Sequence, residues 1–348
     1  MNKKIIVLIS ILSSFTAIYS QAGRGVYQFL DLPISSRLAA MGGTNISLHD
    51  NDINFAFQNP ALLSAETHNV IGLNMANYMS DIKFGSAVYG RTFGCDNYTA
   101  IGIQYIDYGT FKKVSELNVV TPGDETFTAK DFAINIIYSR PLNDNISVGG
   151  TLKPIYSVFE RYTSYGLALD AGINYSSHKL FSAGMVFRNI GTQFKGYYSD
   201  EDGQHLESLP FDIQLGMTYK LAHAPLRFSF TLQNLQQWDL SYQSTNQPAS
   251  DLNTIITNTD ISFIDKAFRH ALIAAEFVPN KNFYLTMAYN HRRQKEMAMS
   301  GFKSTAGFSF GGGIKLSKYH VGFGITQFQV GNTAYQFSIS TSLTEFKL

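Results

Sequence analysis

Apolar and polar residues alternate along most of the chain from residue 69 onward. In the clearest run, every second residue from Ala306 to Leu316 is apolar or glycine, and the residues between them are glycines, Ser309 and Lys315. The same pattern recurs at 165–176, 211–221 and 226–233. Successive side chains of a strand point to opposite faces, so this period of two predicts strands with one apolar and one polar face.

The alternation predicts fourteen strands, and several of them are longer than the roughly 5–6 residues usual in soluble proteins. A strand that crosses a membrane needs about 9–11 residues. The apolar phase often ends in Tyr or Phe, as the aromatic girdles of membrane barrels do. The predicted strands are 70–78, 82–93, 97–108, 130–140, 145–159, 162–176, 179–190, 210–220, 226–236, 268–278, 282–292, 303–316, 319–330 and 334–347.

Every second connection between these strands is short, and all the long connections fall among the others. The short ones are 94–96, 143–144, 177–178, 222–225, 279–281 and 317–318. The long ones are 109–129, 191–209, 237–267 and 293–302. Bacterial barrels place short turns in the periplasm and long loops outside. The sequence therefore predicts an all-β fold, a 14-stranded antiparallel transmembrane β-barrel over residues 69–348.

Residues 23–68 lack the alternation and contain Leu32-Pro33 and Asn59-Pro60-Ala61. We expect this segment to fold into the barrel as a hatch or plug, with Asn59, Pro60 and Ala61 as its candidate motif. The charges on the polar phase mix signs, which suits ion pairing around a plug better than an ion-selective pore. They are Lys153, Asp170, Asp212, Lys220, Arg227, Glu276 and Lys315.

Residues 1–22 have the features of a secretion signal, because Lys3 and Lys4 precede a short apolar stretch and small residues follow it. The chain is rich in aromatic residues and only 15% charged, and no later stretch is long and apolar enough for a membrane helix. These features predict export to the outer membrane of a Gram-negative bacterium. The net charge of +1 gives no indication of nucleic-acid binding.

Motifs that could carry chemistry lack the context that their chemistry needs. Ser309 lies in a G-x-S-x-G pattern, but a nucleophile of that kind needs a turn between a strand and a helix. The acidic run 50–54 starts like a calcium loop, but Phe55 and Ala61 replace its Gly and Glu. We therefore predict no enzyme, with no catalytic, cofactor or metal residues. Two alternatives remain. One is a cation site of another kind, and the other is a barrel enzyme with a Ser–His pair at the rim.

The N-terminal motifs resemble those of a known family. They are the stretches 23–33, 35–43, 50–54, 57–63, 74–78 and 81–86, which read GRGVYQFLDLP, SSRLAAMGG, DNDIN, FQNPALL, NMANY and DIKFGS. They are similar to the PorV/PorQ family of outer-membrane barrels of the type IX secretion system, which is itself similar to the FadL barrels with an N-terminal hatch. The resemblance implies a role in protein export. Such barrels hold a surface protein of the attachment complex, of the PorZ/PorU kind, where cargo is processed and attached.

Two functions follow as hypotheses. The first is an interaction barrel of this secretion machinery, and the alternative is a FadL-like transporter of hydrophobic small molecules. A transporter needs an apolar pocket, and the polar phase is mostly Gly, Ser, Thr, Asn, Gln and charged residues, which favours the first. The candidate partner-binding residues of the long loops are Phe111, Tyr197, Tyr198, Trp238 and Tyr242. Contact with membrane lipid is the competing role for Trp238 and Tyr242.

Overall fold

A computed structural model describes residues 25–50, 52–78, 81–94, 96–113, 126–177, 180–200, 203–240, 262–297, 305–329 and 332–346. The predicted signal at 1–22, Cys95 and Tyr242 lie outside these ranges. No helix of the described part is long and apolar enough to cross a bilayer.

Fourteen antiparallel strands form a closed barrel in which each strand pairs with its neighbour along the chain and β1 pairs with β16. The strands are β1 (Val70–Asn77), β2 (Lys83–Phe93), β3 (Asn97–Lys112), β4 (Thr126–Pro141), β5 (Ile146–Phe159), β6 (Tyr162–Ser176), β7 (Phe181–Lys195), β10 (Asp212–Lys220), β11 (Leu226–Leu232), β12 (Ala271–Asn280), β13 (Phe283–Asn290), β14 (Phe308–Leu316), β15 (Tyr319–Gln329) and β16 (Asn332–Ser342). Two short strands, β8 (Ser199–Asp200) and β9 (Gly203–Gln204), form a separate hairpin between β7 and β10.

The outer surface of the barrel is apolar along its middle and aromatic towards its ends. Exposed Leu, Ile, Met and Phe side chains cover it, including Met75, Ile136 and Phe337. Near one end, four rings follow one another across β3 to β6, with centroids 4.7 to 6.4 Å apart: Tyr105, Phe132, Tyr156 and Tyr165. This belt with its aromatic girdle is the surface of a membrane-spanning barrel, and the predicted fold class is confirmed.

The short connections lie at one end of the barrel, as predicted, and we call it the periplasmic end because bacterial barrels have this arrangement. The opposite, extracellular end carries two helices, α2 (Phe263–His270) and α3 (His291–Glu296). A first helix, α1 (Ser36–Ala40), lies in the N-terminal segment together with 3-10 turns at Gln28–Asp31, Ile53–Phe57, Pro60–Leu62 and Ala65–Thr67.

Several predicted strand ends at the extracellular side were wrong. β3 continues past a bulge to Lys112, and β4 begins already at Thr126. The two strands pair this far because Phe111 and Phe127 lie opposite each other, with ring centroids 5.2 Å apart. β7 continues to Lys195 rather than 190, paired with β6. β11 ends at Leu232 rather than 236, since Asn234 adopts a left-handed conformation with φ 56°.

Other corrected ends have local causes. Residues 268–270 and 291–292 are helical instead of extended. Asn290 caps α3 by accepting a hydrogen bond from the Arg293 N–H, and Asp265 pairs with Arg269 one turn along α2. β14 begins at Phe308 after Gly307, whose φ of 89° suits glycine. β16 ends at Ser342 and is followed by a 3-10 turn, Leu343–Phe346.

Candidate functional site

The described residues of 25–68 lie in the lumen, and we call them the plug. Hydrogen bonds join the plug to strands all around the wall, from β5 (Ser147 Oγ to the Ala61 carbonyl, 2.9 Å) to β10 (Ser47 Oγ to Thr218 Oγ1, 2.8 Å). On the other side of the barrel, Thr326 of β15 donates to the Ala39 carbonyl, and Gln336 of β16 donates to the Pro33 carbonyl. A segment bonded to opposite sides of the wall lies inside it. Its largest buried apolar side chains are Phe29, Leu30, Ile34, Leu38, Met41, Ile46, Leu48, Phe55 and Phe57.

The predicted hatch motif packs closely against the wall. Asn59 is fully buried, and its amide donates to the Ile46 carbonyl at 2.8 Å and accepts from the Ala61 N–H at 3.0 Å. The side chain lies against Gly172 and Gly184 of β6 and β7, where a Cβ would overlap it. Asn59 therefore ties two parts of the plug together, and glycine in the wall gives it room.

A buried charge cluster fixes the plug to β11 and β12. Glu276, 1% exposed, accepts from Arg37 Nε at 3.0 Å and from Arg227 Nη2 at 2.6 Å. Arg37 also pairs with Asp50 at 2.9 Å and lies 4.4 Å from the Tyr284 ring centroid. Arg37 and Asp50 belong to the plug, so the cluster crosses from plug to wall. The predicted pairing of lumen charges around a plug is confirmed for Glu276 and Arg227.

A second polar cluster depends on a bulge in β7 that places the consecutive residues Arg188 and Asn189 both in the lumen. Asn189 has a φ of 56°, and its side chain accepts from Lys153 Nζ at 3.0 Å and donates to Asp31 at 3.2 Å. Arg188 donates to the Leu30 carbonyl at 3.0 Å. Lys153 also pairs with Asp170 at 2.5 Å, so this cluster holds the upper part of the plug.

Apolar residues line part of the lumen, although most buried lumen-facing residues of the wall are polar, as expected. Plug residues form one apolar core with lumen-facing residues of β2 to β6, namely Phe84, Val88, Ala100, Ile106, Ala133, Ile137, Ile155 and Ala168. The same strands also carry buried polar residues, among them Gln104, Asn135, Lys153 and Asp170, as do β7 and β10 to β12. Sequence alternation understated the apolar share of the lumen because β3 and β4 carry apolar residues in both phases, as Ile136 and Ile137 show.

The extracellular mouth is aromatic on the side of β3 to β5, where β3 and β4 continue beyond the end of β2. Phe111, Phe127 and Phe159 lie on their inner face, with ring centroids 5.2 and 5.4 Å apart. Below them, Asp131 accepts hydrogen bonds from Tyr108 and Ser157. We call Phe111, Phe127 and Phe159 the mouth cluster.

The structure separates the candidate partner-binding residues. Phe111 belongs to the mouth cluster, and Tyr197 points inward, with its hydroxyl bonded to Ser157. Burial raises the pKa of the Tyr197 hydroxyl. Tyr198 is 58% exposed, and Trp238 is half-exposed beside Phe263, with ring centroids 5.1 Å apart. Sequence analysis missed Arg37, Asp50, Arg188 and Asn189, whose roles depend on partners far away in the chain.

At the periplasmic end, a cleft of about 680 Å³ lies between the plug and the short turns. Leu48, His49 and Glu66 of the plug line it, together with Lys220 and Arg227 of the wall.

These features define a plugged transmembrane barrel of fourteen strands. No protein-family model matches the sequence, and no curated protein sequence matches it significantly. Among solved structures, the chain is similar to the P. putida toluene transporter TodX (TM-score 0.55, 11% identity, 90% of this chain and 99% of that chain). It is also similar to a Pseudomonas aeruginosa FadL homologue (TM-score 0.53, 11% identity, 92% of this chain and 100% of that chain). At these identities the likeness establishes the fold.

Proposed function

We propose that this protein is an outer-membrane channel for hydrophobic small molecules. The mouth cluster carries the proposal, because three aromatic rings on the inner face of β3 to β5 form a surface that an apolar molecule would bind. The fold shared with a protein described as a toluene transporter supports the same class of ligand.

A path for such a molecule would follow the apolar side chains that β2 to β6 contribute to the core they share with the plug. It would begin at the mouth cluster, pass between the plug and β2 to β6, and leave through the periplasmic cleft. The plug packs against this wall through buried apolar side chains, so the structure represents a closed state. The plug would have to shift on its apolar side while its charged contacts on β11 and β12 hold it in place.

The experiment is an uptake assay in a deletion strain that carries the wild-type gene or the variant Phe111→Ser/Phe127→Ser/Phe159→Ser. We expect initial uptake of radiolabelled toluene or of a long-chain fatty acid to fall about tenfold or more, since about 1.4 kcal/mol of lost binding corresponds to a factor of ten. The matched control is Phe194→Ser/Tyr198→Ser, which removes exposed aromatic residues outside the mouth cluster and should leave uptake unchanged. Wild-type uptake by the deletion strain or by the triple variant would contradict the proposal.

A second candidate is an anchor of the type IX secretion machinery that holds a PorZ/PorU-like surface protein. The PorV/PorQ-like motifs of residues 23–86 favour it, as do the exposed Phe194 and Tyr198 on the extracellular side. In this case the deletion strain would release the surface partner, leave cargo unprocessed and take up hydrophobic molecules normally. Immunoblots of surface-attached and released cargo in the same strains therefore separate the two functions.

A further inference from the structure

The wall of the barrel is unequal in height. β3 and β4 have 16 residues each, whereas β11 has 7 and β13 has 8. A strand needs about 9–11 residues to cross the hydrocarbon layer, so β11 and β13 fall short. The periplasmic ends of both strands join the short turns. The missing length of both strands is therefore on the extracellular side.

Helix α2 lies at this low side of the wall. It leads directly into β12, whose first residue, Ala271, pairs with Leu232 at the end of β11. The large apolar side chains of α2 are exposed: Phe263 is 70%, Ile264 65% and Phe268 50% exposed.

The charged side chains of α2 have protein partners. Lys266 pairs with Asp239 at 2.7 Å, and Asp265 pairs with Arg269 and with His291, both at 2.9 Å. The helix is therefore amphipathic, with its polar side satisfied by the protein and its apolar side left for another occupant.

The apolar side of α2 continues the lipid-facing surface of the barrel. The Phe268 ring lies 5.9 Å from His291, which lies 6.0 Å from Tyr289. Tyr289 in turn lies 5.0 Å from Phe308, and both belong to the outward phase of β13 and β14. At the other end of the helix, Phe263 lies 5.1 Å from Trp238.

We propose that α2 and Trp238 lie in the outer leaflet of the membrane, covered by lipid acyl chains, and complete the apolar belt above β11 and β13. Lipid is the occupant that fits, because the exposed helix face joins a surface that already faces lipid. Amphipathic helices with Phe and Trp on the apolar side bind at this depth, and Trp is enriched at membrane interfaces. The assignment gives Trp238 a lipid contact instead of a protein contact and does not depend on what the lumen carries.

Trp238 is the only tryptophan of the chain, so its fluorescence reports on this surface alone. The folded full-length barrel is reconstituted in phosphatidylcholine vesicles with acyl chains brominated close to the glycerol, brominated near the methyl end, or unbrominated. We expect bromine to quench Trp238, and the bromine close to the glycerol to quench it more strongly. Aqueous iodide should have little effect.

Two variants sharpen the test, and gel mobility before and after heating confirms that each is folded. Phe263→Ser/Ile264→Ser/Phe268→Ser should lose about half or more of the lipid quenching, because the helix no longer binds the leaflet. Phe111→Ser/Phe127→Ser, in the mouth cluster, should keep all of it. The proposal is overturned if wild-type Trp238 fluoresces equally in all three vesicles. It is also overturned if only an added outer-membrane protein shields Trp238 from iodide, which would identify a protein-binding surface.

Discussion

Arg37 of the plug and Glu276 of β12 form a buried ion pair, 3.0 Å from Nε to Oε1, between residues 239 positions apart in the chain. Glu276 also accepts from Arg227 and Thr286, so one carboxylate binds an arginine of the plug and an arginine of the wall, and Asp50 supplies the second negative charge.

Removing this carboxylate should loosen the plug. Glu276→Ala leaves Arg37 and Arg227 buried with less compensating charge, and breaking a buried pair costs roughly 3–5 kcal/mol. The measurement is the urea midpoint of unfolding in lipid vesicles. The matched control is Glu345→Ala, which removes a more exposed pair with Lys315 and should cost about 1 kcal/mol or less. Equal losses in the two variants would show that the Arg37 cluster does not hold the plug.

Asn59→Ala should destabilise the plug by about 1–3 kcal/mol, because it leaves the buried Ile46 carbonyl without its donor. Asn143→Ala is the control, since the Asn143 amide accepts from Asn145 and Ile146 in an exposed turn. Its cost should be about 0.5 kcal/mol or less, as for most surface changes. The measurement is the free energy of unfolding in urea for both variants. If Asn59→Ala left this free energy unchanged, the motif would not stabilise the plug.

The lipid-facing assignment can be tested at Phe337, near the middle of β16 and 58% exposed. Phe337→Arg should cost roughly 2–4 kcal/mol of folding free energy, because the charge would lie in hydrocarbon. Phe337→Leu keeps an apolar side chain and should fold in vesicles almost as the wild type does. Equal folding of the Arg and Leu variants would place this residue away from lipid.

The plug should shield its own residues from reagents added outside the cell. In a Cys95→Ser background, Ser47→Cys should react with a bulky maleimide only after denaturation, since Ser47 is fully buried. Tyr198→Cys, on the exposed extracellular side, should react in intact cells. Adding Glu276→Ala to Ser47→Cys should speed its labelling. Rapid labelling of Ser47→Cys without that change would indicate an open lumen.

The strands could be predicted from the sequence because lipid and lumen impose opposite demands on alternate residues. In β10, Ile213, Leu215 and Met217 face outward, and Asp212, Gln214 and Thr218 face the lumen, as the alternation predicted. The strand ends were less predictable, since a single residue such as Asn234 or Gly307 decides them through its backbone conformation.

Of the residues that join the plug to the wall, the sequence indicates only one short motif. Asn59-Pro60-Ala61 is local, and the structure places it at the contact between plug and wall. The Arg37 cluster joins distant residues, and Arg188 and Asn189 share the lumen only because of a bulge, so no sequence spacing indicates either. Helix α2 is a single short amphipathic stretch, and the sequence pattern predicts a strand from residue 268, where the helix still continues to His270.

The pairing of β1 with β16 also determines what a shortened chain would lose. The last strand of the chain closes the wall, and the plug precedes the first strand. Ser338 and Gln336 of β16 bond the plug at Ser36 and Pro33, so the closing strand completes the surroundings of α1. A chain truncated before residue 332 would therefore lack β16, which would leave the edge of β1 unpaired and remove these two contacts with the plug.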